Sequence, residues 1–584
     1  MEILDNVRVD TISMVKLGSK YYALKDEDAV RKSQLWEPEQ AVTGELLKAY
    51  YQTSFYESLG AAVADVNAQT VGSGVTEDAE SENVAVYTDE KGSTVVTLLA
   101  DLTEPASVIF TKDAILRLNG KVLTFTESGT HLKFAETVSE AWIDGRVPGS
   151  RVVKSVAEET AAAERVLDMR AGSSRILGGK YQLNLANNSA ASLALMVRNT
   201  QFYGEGFEIE ATQNAGSGNL YTIMAYSPLK LQGCTVKCHT VGGIARCVET
   251  NADSQEVYIN DCDFLAESLE NTAVSFYPLC HNAVVRNSRI RAKRMGNSTE
   301  NASSKATAIQ QYADKLTVEN CQLSASSVKK HTNCIYAYRG EYWIINTEIR
   351  AESAENYAYG VENLAAASGY LQDCVCFADA TSGFTDSLCS TGVLNYGSLT
   401  LKNCSAYGTH SGMQLLPGSH THATGGTFEG VGHGGIYFSH AGGSAFIQDA
   451  EIKNVKYRGA YKTTYEYLNQ YGVAAMYIGS VDGNGGISVY MDNCGIDGSG
   501  PFANGAEPIR FRDSENEQNN AVYMSNCTVM GDGNIRFGNS SHRLYHGLSN
   551  RILTESNMAE CLVQTSSVYH CDPGMPENMP EESL

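Results

Sequence analysis

Thirteen times between residues 178 and 526 the chain sets an Asn, Asp or Gly at the same point of a short motif, and few folds accommodate such repetition. Two alternating apolar residues precede this marker, a small residue follows it, and an apolar residue comes two further on. Good copies are Leu229–Val236, Val257–Phe264, Leu316–Leu323, Leu399–Ala406, Ala445–Ile452 and Val522–Val529. The markers are Gly178, Asn199, Gly233, Asp261, Asn287, Asn320, Asn346, Asp373, Asn403, Gly425, Asp449, Asn493 and Asn526, with looser copies at Asn119 and Asp144. Their spacing runs from 21 to 44 residues, most often in the twenties. Gly, Asn and Asp tolerate a left-handed backbone, so each copy is expected to bend at its marker. Side-chain parity requires the same bend. Val257 and Ile259 share one face of a strand, and Cys262 and Phe264 join that face only if the chain turns at Asp261.

The residue after the marker is Gly, Ala, Ser, Thr or Cys throughout. Seven are cysteines: Cys234, Cys262, Cys321, Cys374, Cys404, Cys494 and Cys527. Stacked coil on coil they form an inward column, read as small buried hydrophobes rather than a metal or redox array. A second strand follows about ten residues after each corner, as in Thr272–Leu279, Cys334–Gly340, Gly434–Gly442 and Glu507–Ser514. Two or three short strands per coil, corner asparagines and variable loops describe an all-β parallel β-helix, a solenoid.

These repeats resemble pectate-lyase-type right-handed β-helix proteins over about residues 84–545, and the run Thr94–Phe125 is similar to the first coils of such proteins. Arg117 departs from the pattern, sitting where an apolar residue is expected, as an atypical capping coil allows. The resemblance implies the right hand of the coil. Near the start, LGSKYYALKDEDAVR (Leu17–Arg31) resembles N-terminal segments of tail-fibre and tail-spike proteins from phages of Gram-positive bacteria. It implies a homotrimer in the virion tail, held to a tail or baseplate protein through this end and facing a bacterial surface glycan. The domain reading is a docking segment at 1–34, a helix and acidic linker at 35–83, the β-helix at 84–550 and a tail at 551–584. Leu47, Tyr51, Phe55, Leu59, Val63 and Val66 recur at spacings of four and three, the stripe of one helix. Asp572–Leu584 is acidic, proline-rich and reads as disordered.

A formal charge of −23 argues against nucleic acid and anionic membranes, which need clustered Lys and Arg. Met1–Lys16 lacks the basic and apolar regions of an export signal, so the expected place of synthesis is the bacterial cytoplasm. Fifteen cysteines then read as reduced thiols, and no apolar run is long enough to span a bilayer.

Alternation within the second strand set selects outward side chains. The predicted ladder holds Ser275 and Tyr277, Gln310 and Tyr312, Tyr336 and Tyr338, and Gly360 and Glu362. It continues with Leu394 and Tyr396, Gln414 and Leu416, Tyr437 and Ser439, Tyr477, Arg510 and Arg512, and Arg536. Flat aromatics beside amides and hydroxyls suit sugar rings, so Tyr277, Tyr312, Tyr336, Tyr338, Tyr396, Gln414, Tyr437, Tyr477, Arg510 and Arg512 are the candidate glycan-binding residues. Packing of these tyrosines on each other or between subunits is the equal alternative. The insertion Lys456–Gly472 adds five tyrosines and reads as a functional loop.

Catalytic candidates are sparse. Glycoside hydrolysis needs two carboxyl groups, and Glu362 is the one acid on the predicted ladder. Gly432-His433-Gly434 resembles one element of polygalacturonases, whose paired aspartates are missing here. His410 and His433 fall at similar offsets after their corners and are expected to stack; with His420, His422 and His440 they read as turn residues, not as a metal site. No metal or cofactor is expected. Three functions remain: a tail-spike-like binder that also has scope to cleave its glycan, a structural or adhesive β-helix, and a stand-alone polysaccharide lyase or hydrolase.

Overall fold

All thirteen markers take positive φ, from 46° at Asn346 to 71° at Gly425, and so does Asn119 at 54°. The corner is thus written in residue type: only side chains that accept the left-handed region occupy it. The computed structural model describes residues 14–17, 20–23, 40–71, 82–296, 305–380, 390–439, 443–455, 474–479, 486–499, 507–511, 520–531, 533–538, 542–553 and 562–563. Two units divide the chain, Met1–Thr240 and Val241–Leu584.

In Met1–Thr240 the strand before each corner pairs in parallel with its counterpart one coil later. Ala114–Arg117 is followed in this way by Glu140–Gly145, Ser173–Gly178, Gln201–Glu205 and Leu229–Gln232. Val122–Phe125, Arg151–Thr160, Lys180–Asn188, Glu208–Gln213 and Thr235–Thr240 form a second parallel ladder. Val108–Phe110, Leu132–Phe134, Leu167–Met169, Ser192–Val197 and Leu220–Ala225 form the third. Each strand therefore meets the strand three places on, a pattern consistent with a solenoid of three-strand coils.

Val241–Leu584 repeats the scheme, except that four of the described strands, His331–Ile345, Ala358–Gln372, Ser398–Gly408 and His420–Gly430, each run through two ladders. Its core is built of aligned columns such as Ile259, Val285, Val318, Ile344, Leu371 and Leu401, each at most 1% exposed. Burying one such side chain contributes about 1.5–3 kcal/mol. The parallel pairing continues past residue 550, where Arg551–Leu553 meets Thr528–Met530.

The seven post-corner cysteines are buried, and each thiol lies 3.2–3.4 Å from the carbonyl two residues back, just before the corner. Ser288 and Thr347 place their hydroxyls the same way, on the carbonyls of Arg286 and Ile345. The position thus takes a small donor that closes the corner. Burial pushes the Cys321 thiol up to about 11, which keeps it protonated and inert.

The corner side chains also form an exposed ladder. Asn287 Nδ2 donates to Asn260 Oδ1 at 2.8 Å, Asn320 Nδ2 to Asn287 Oδ1 at 3.5 Å, and Asn346 Nδ2 to Asn320 Oδ1 at 2.8 Å. Asn320→Gly keeps the backbone and loses two exposed hydrogen bonds, an expected cost of about 1 kcal/mol. Asn320→Val adds left-handed strain and should cost about 2–3 kcal/mol. Urea unfolding of the two variants tests this; equal midpoints would show that φ at residue 320 carries no strain.

Two expectations need correction. Asp144 is no corner: it lies inside Glu140–Gly145, and its carboxylate takes the Arg146 guanidinium in a fork of two 2.9 Å hydrogen bonds. The single helix is two, α1 (Gly44–Tyr50) and α2 (Leu59–Ala68), separated by the strand Ser54–Tyr56, which pairs antiparallel with Val84–Thr88. Thr43 and Ser58 each cap a start, accepting from Leu46 N and Ala61 N, and the chain leaves the helical region at Tyr51. In the capping coil, Arg117 is 7% exposed and donates to Gln40 O at 3.4 Å. Beside it Asn119 binds Val42 through both amide atoms, and Val42 packs with Leu47, Ala85, Tyr87 and Val95. Of the docking segment, Met14–Leu17 and Lys20–Ala23 pair antiparallel. The remainder of that segment, Lys456–Gly472, Arg512, His440 and Asp572–Leu584 lie outside the described residues.

Candidate functional site

Within Val241–Leu584 the parallel register carries one outward position from coil to coil. Glu249 pairs with Tyr277; Gln310 with Tyr336, then Glu362, Leu394, Gln414, Tyr437, Tyr477, Arg510 and Arg536. A neighbouring row, two residues on, holds Tyr312 and Tyr338. The rings of Tyr277 and Tyr312 are 5.2 Å apart, and those of Tyr312 and Tyr338 stack at 4.5 Å and 19°. Tyr338 is 44% exposed. The Arg246 guanidinium lies 4.5 Å over Tyr277 while paired with Glu249. Arg339 Nε donates to Tyr312 O at 2.9 Å. This end is an open aromatic shelf.

Its middle is polar. Lys305 Nζ sits 3.4 Å from the centre of the Tyr336 ring. Asn333 Nδ2 donates to Glu362 Oε2. Burial pushes the Glu362 carboxyl up, against the opposing pull of Lys305 and Asn333, and pushes the Lys305 ammonium down. Burial and Glu362 together raise Tyr336 to about 12 and also raise Tyr396, which keeps both phenols protonated. Thr391 Oγ1 donates to Gln414 Oε1 at 3.4 Å.

The far end is closed. The rings of His410 and His433 lie 4.4 Å apart, tilted by 41°; His433 stacks on Tyr437 at 4.7 Å and meets Tyr477 edge-on at 4.8 Å. His410, Tyr477 and Arg510 are 6%, 8% and 9% exposed. Burial and His433 hold the His410 imidazole well below its usual range, so it stays neutral. Arg510 folds 5.8 Å over Tyr477, with Glu507 3.4 Å away. Among the described residues no group of three His, Cys, Asp or Glu is placed to hold a metal ion.

Outward parity fails at Ser275, Leu394, Leu416 and Ser439, which are all buried. The pairing skips Ser275 and Gly360 but resumes in the same register on either side, so the ladder is locally irregular there without an added residue. Ser275 Oγ accepts from Ala266 N at 3.1 Å and donates to Arg291 O, and a Cβ on Gly360 would lie 2.4 Å from Gly392 O. Ser439 Oγ turns back onto Leu415 O at 3.2 Å.

Sequence reasoning missed Lys305 and Asn333, whose relation to Glu362 exists only once three coils are in register. It also missed a second outward column, the residue between the two apolar positions of the motif itself. There Trp343 pairs with Tyr370, His422 with Phe446, and Tyr490 stacks on Tyr523 at 4.8 Å and Tyr523 on Tyr545 at 4.7 Å. The motif held that signal: the side chain flanked by two inward ones must face out. Separately, a cavity of about 1070 Å³ in Met1–Thr240 lies between the Asp89–Thr94 turn and Trp142, lined by charges of both signs.

No family model, curated protein or solved structure matches this chain.

Proposed function

We propose that the chain is a right-handed parallel β-helix of the pectate-lyase type acting as a tail-spike-like receptor-binding protein. It lays a bacterial surface polysaccharide along the outward column of Val241–Leu584. In this reading the protein works as a homotrimer on a phage tail, joined to the tail or baseplate by its N-terminal segment. One observation carries the glycan reading: Tyr312 stacks on Tyr338, Tyr277 lies tilted beside Tyr312, and this aromatic row stays open at Tyr338. Gln310 adjoins it, paired with Tyr336 at the one-coil interval of about 4.8 Å. Sugar rings present alternating apolar faces and hydroxyls, and such a surface matches both. A structural role is favoured at the His433–Tyr437–Tyr477 end, where the rings bury one another.

Retention of bacterial surface polysaccharides on the immobilised full chain tests this. Tyr312→Ala with Tyr338→Ala is expected to weaken retention at least tenfold while the circular dichroism spectrum is kept, since each ring supplies about 0.5–1.5 kcal/mol. Unchanged retention in the double variant would move the glycan off this shelf.

A further inference from the structure

The polar middle of the column narrows the class of sugar. In a chain of formal charge −23, cations gather on this face. Arg246 is matched by Glu249, and Arg510 and Arg536 share Glu507. Lys305 and Arg339 are different: among the described residues no carboxylate lies within 4 Å of either, and Arg339 is exposed beside Tyr338. Lys305 is half-buried, with its ammonium on the Tyr336 ring. Glu362 pulls on Lys305 without forming a direct ion pair, so the desolvated ammonium is only partly offset, and an anion delivered by a ligand offsets more of that cost.

We propose that the column binds an anionic sugar polymer, and that the negative group seats beside Lys305, Asn333 and Glu362 while the sugar rings lie on Tyr312 and Tyr338. This rests on the glycan reading and adds the charge of the ligand. Glu362 makes the seat sensitive to pH. Its carboxyl is raised by burial, so it holds a proton further up the pH scale than an ordinary glutamate and then has an O–H to donate to the anion. Once ionised, it repels that anion. The groups that face it or face Lys305 are Lys330, His331, Tyr336 and Tyr396. Burial, Lys305 and Lys330 all push His331 down, so it sheds its charge at a lower pH than an ordinary histidine, and both phenols stay protonated. Affinity for an anionic polymer therefore falls as pH rises through the Glu362 titration.

The test uses the immobilised full chain and a panel of bacterial polysaccharides: uronate-containing polymers, each beside its own carboxyl-reduced form, polyol-phosphate polymers, and neutral polymers. Retention is expected for an anionic member and at least tenfold weaker for its neutralised or neutral counterpart; the uronate and phosphate arms tell which anion is taken. Lys305→Met should weaken that retention about tenfold and Lys305→Arg should restore most of it, which separates lost charge from lost fold. Glu362→Gln should flatten the pH dependence. Retention that survives carboxyl reduction, or that is confined to neutral polymers, overturns the anionic seat and leaves the glycan reading standing. Retention of nothing on the panel overturns both.

Discussion

Lys154→Met is expected to destabilise the Met1–Thr240 unit by about 3–5 kcal/mol, the largest loss from any single substitution considered for this chain. Lys154 and Glu164 form an ion pair at 3.3 Å with both side chains fully buried. The ammonium also donates to Glu127 O and, at 2.9 Å, to Thr130 Oγ1. Glu164 in turn accepts from Gly129 N, at 3.0 and 3.1 Å, and from Ser128 Oγ. One pair thus fastens the turn 127–130 to the strand Arg151–Thr160. Methionine fills the space of the lysine stem but leaves a buried carboxylate without its counter-charge, while Glu127 O keeps the hydrogen bond from Thr130 Oγ1. Amide hydrogen exchange reads the effect locally, which suits a repeat array in which each coil leans on its neighbours. Protection in Val122–Phe125, Arg151–Thr160 and Lys180–Asn188 should fall by about two to three orders of magnitude. Adding Glu164→Gln removes the stranded charge and keeps an acceptor for Gly129 N, so the pair of substitutions should recover part of the loss. Wild-type protection in Lys154→Met would mean that the pair is not desolvated in solution.

The corners were legible because a backbone that must turn left-handed leaves few residue types to choose from. Wherever Asn, Asp or Gly stood between two inward pairs, the bend followed. Asp144 misled because a carboxylate has another use, here the Arg146 guanidinium, and sequence spacing does not separate the two. The split between α1 and α2 was obscured by apolar residues that happen to keep helical spacing across Tyr51–Ser58, while Thr43 and Ser58 already marked two starts. At the face, period-two alternation located Tyr277, Tyr336, Tyr338 and Glu362 on the outward side. It failed at Ser275 because Ser275 and Phe276, like Cys247 and Val248, are consecutive buried residues, a break in alternation that the apolar pattern does not mark. Lys305 and Asn333 were out of reach for a different reason. Their partner Glu362 is 57 and 29 residues away in sequence, and only the pairing of successive coils sets which of many polar residues meet.

That dependence on register leads to the second large effect, expected at Gly369. Gly369 pairs with Tyr342, whose ring is 1% exposed and lies across the glycine. A Cβ at Gly369 would come within 2.2 Å of Tyr342 Cζ and 2.3 Å of its Oη. The backbone there is not left-handed, so the conflict is purely one of space. At 1% exposure the ring has no ready escape. Gly369→Ala should cost about 1–3 kcal/mol and Gly369→Val more, since overpacking forces side chains off their rotamers or moves the strands. The functional consequence follows from chain continuity. Gly369 shares the strand Ala358–Gln372 with Glu362, and Tyr342 shares His331–Ile345 with Asn333, Tyr336 and Tyr338. Parting these two strands at Tyr342 disturbs the alignment that brings Tyr336 beside Glu362, so glycan retention should decline with thermal stability although residue 369 faces no sugar. Replacing the ring with a smaller side chain, Tyr342→Leu, in the Gly369→Ala background should return part of both. If Gly369→Val melts at the wild-type temperature, the close packing of Tyr342 on this glycine is wrong, and with it the coupling of core to face.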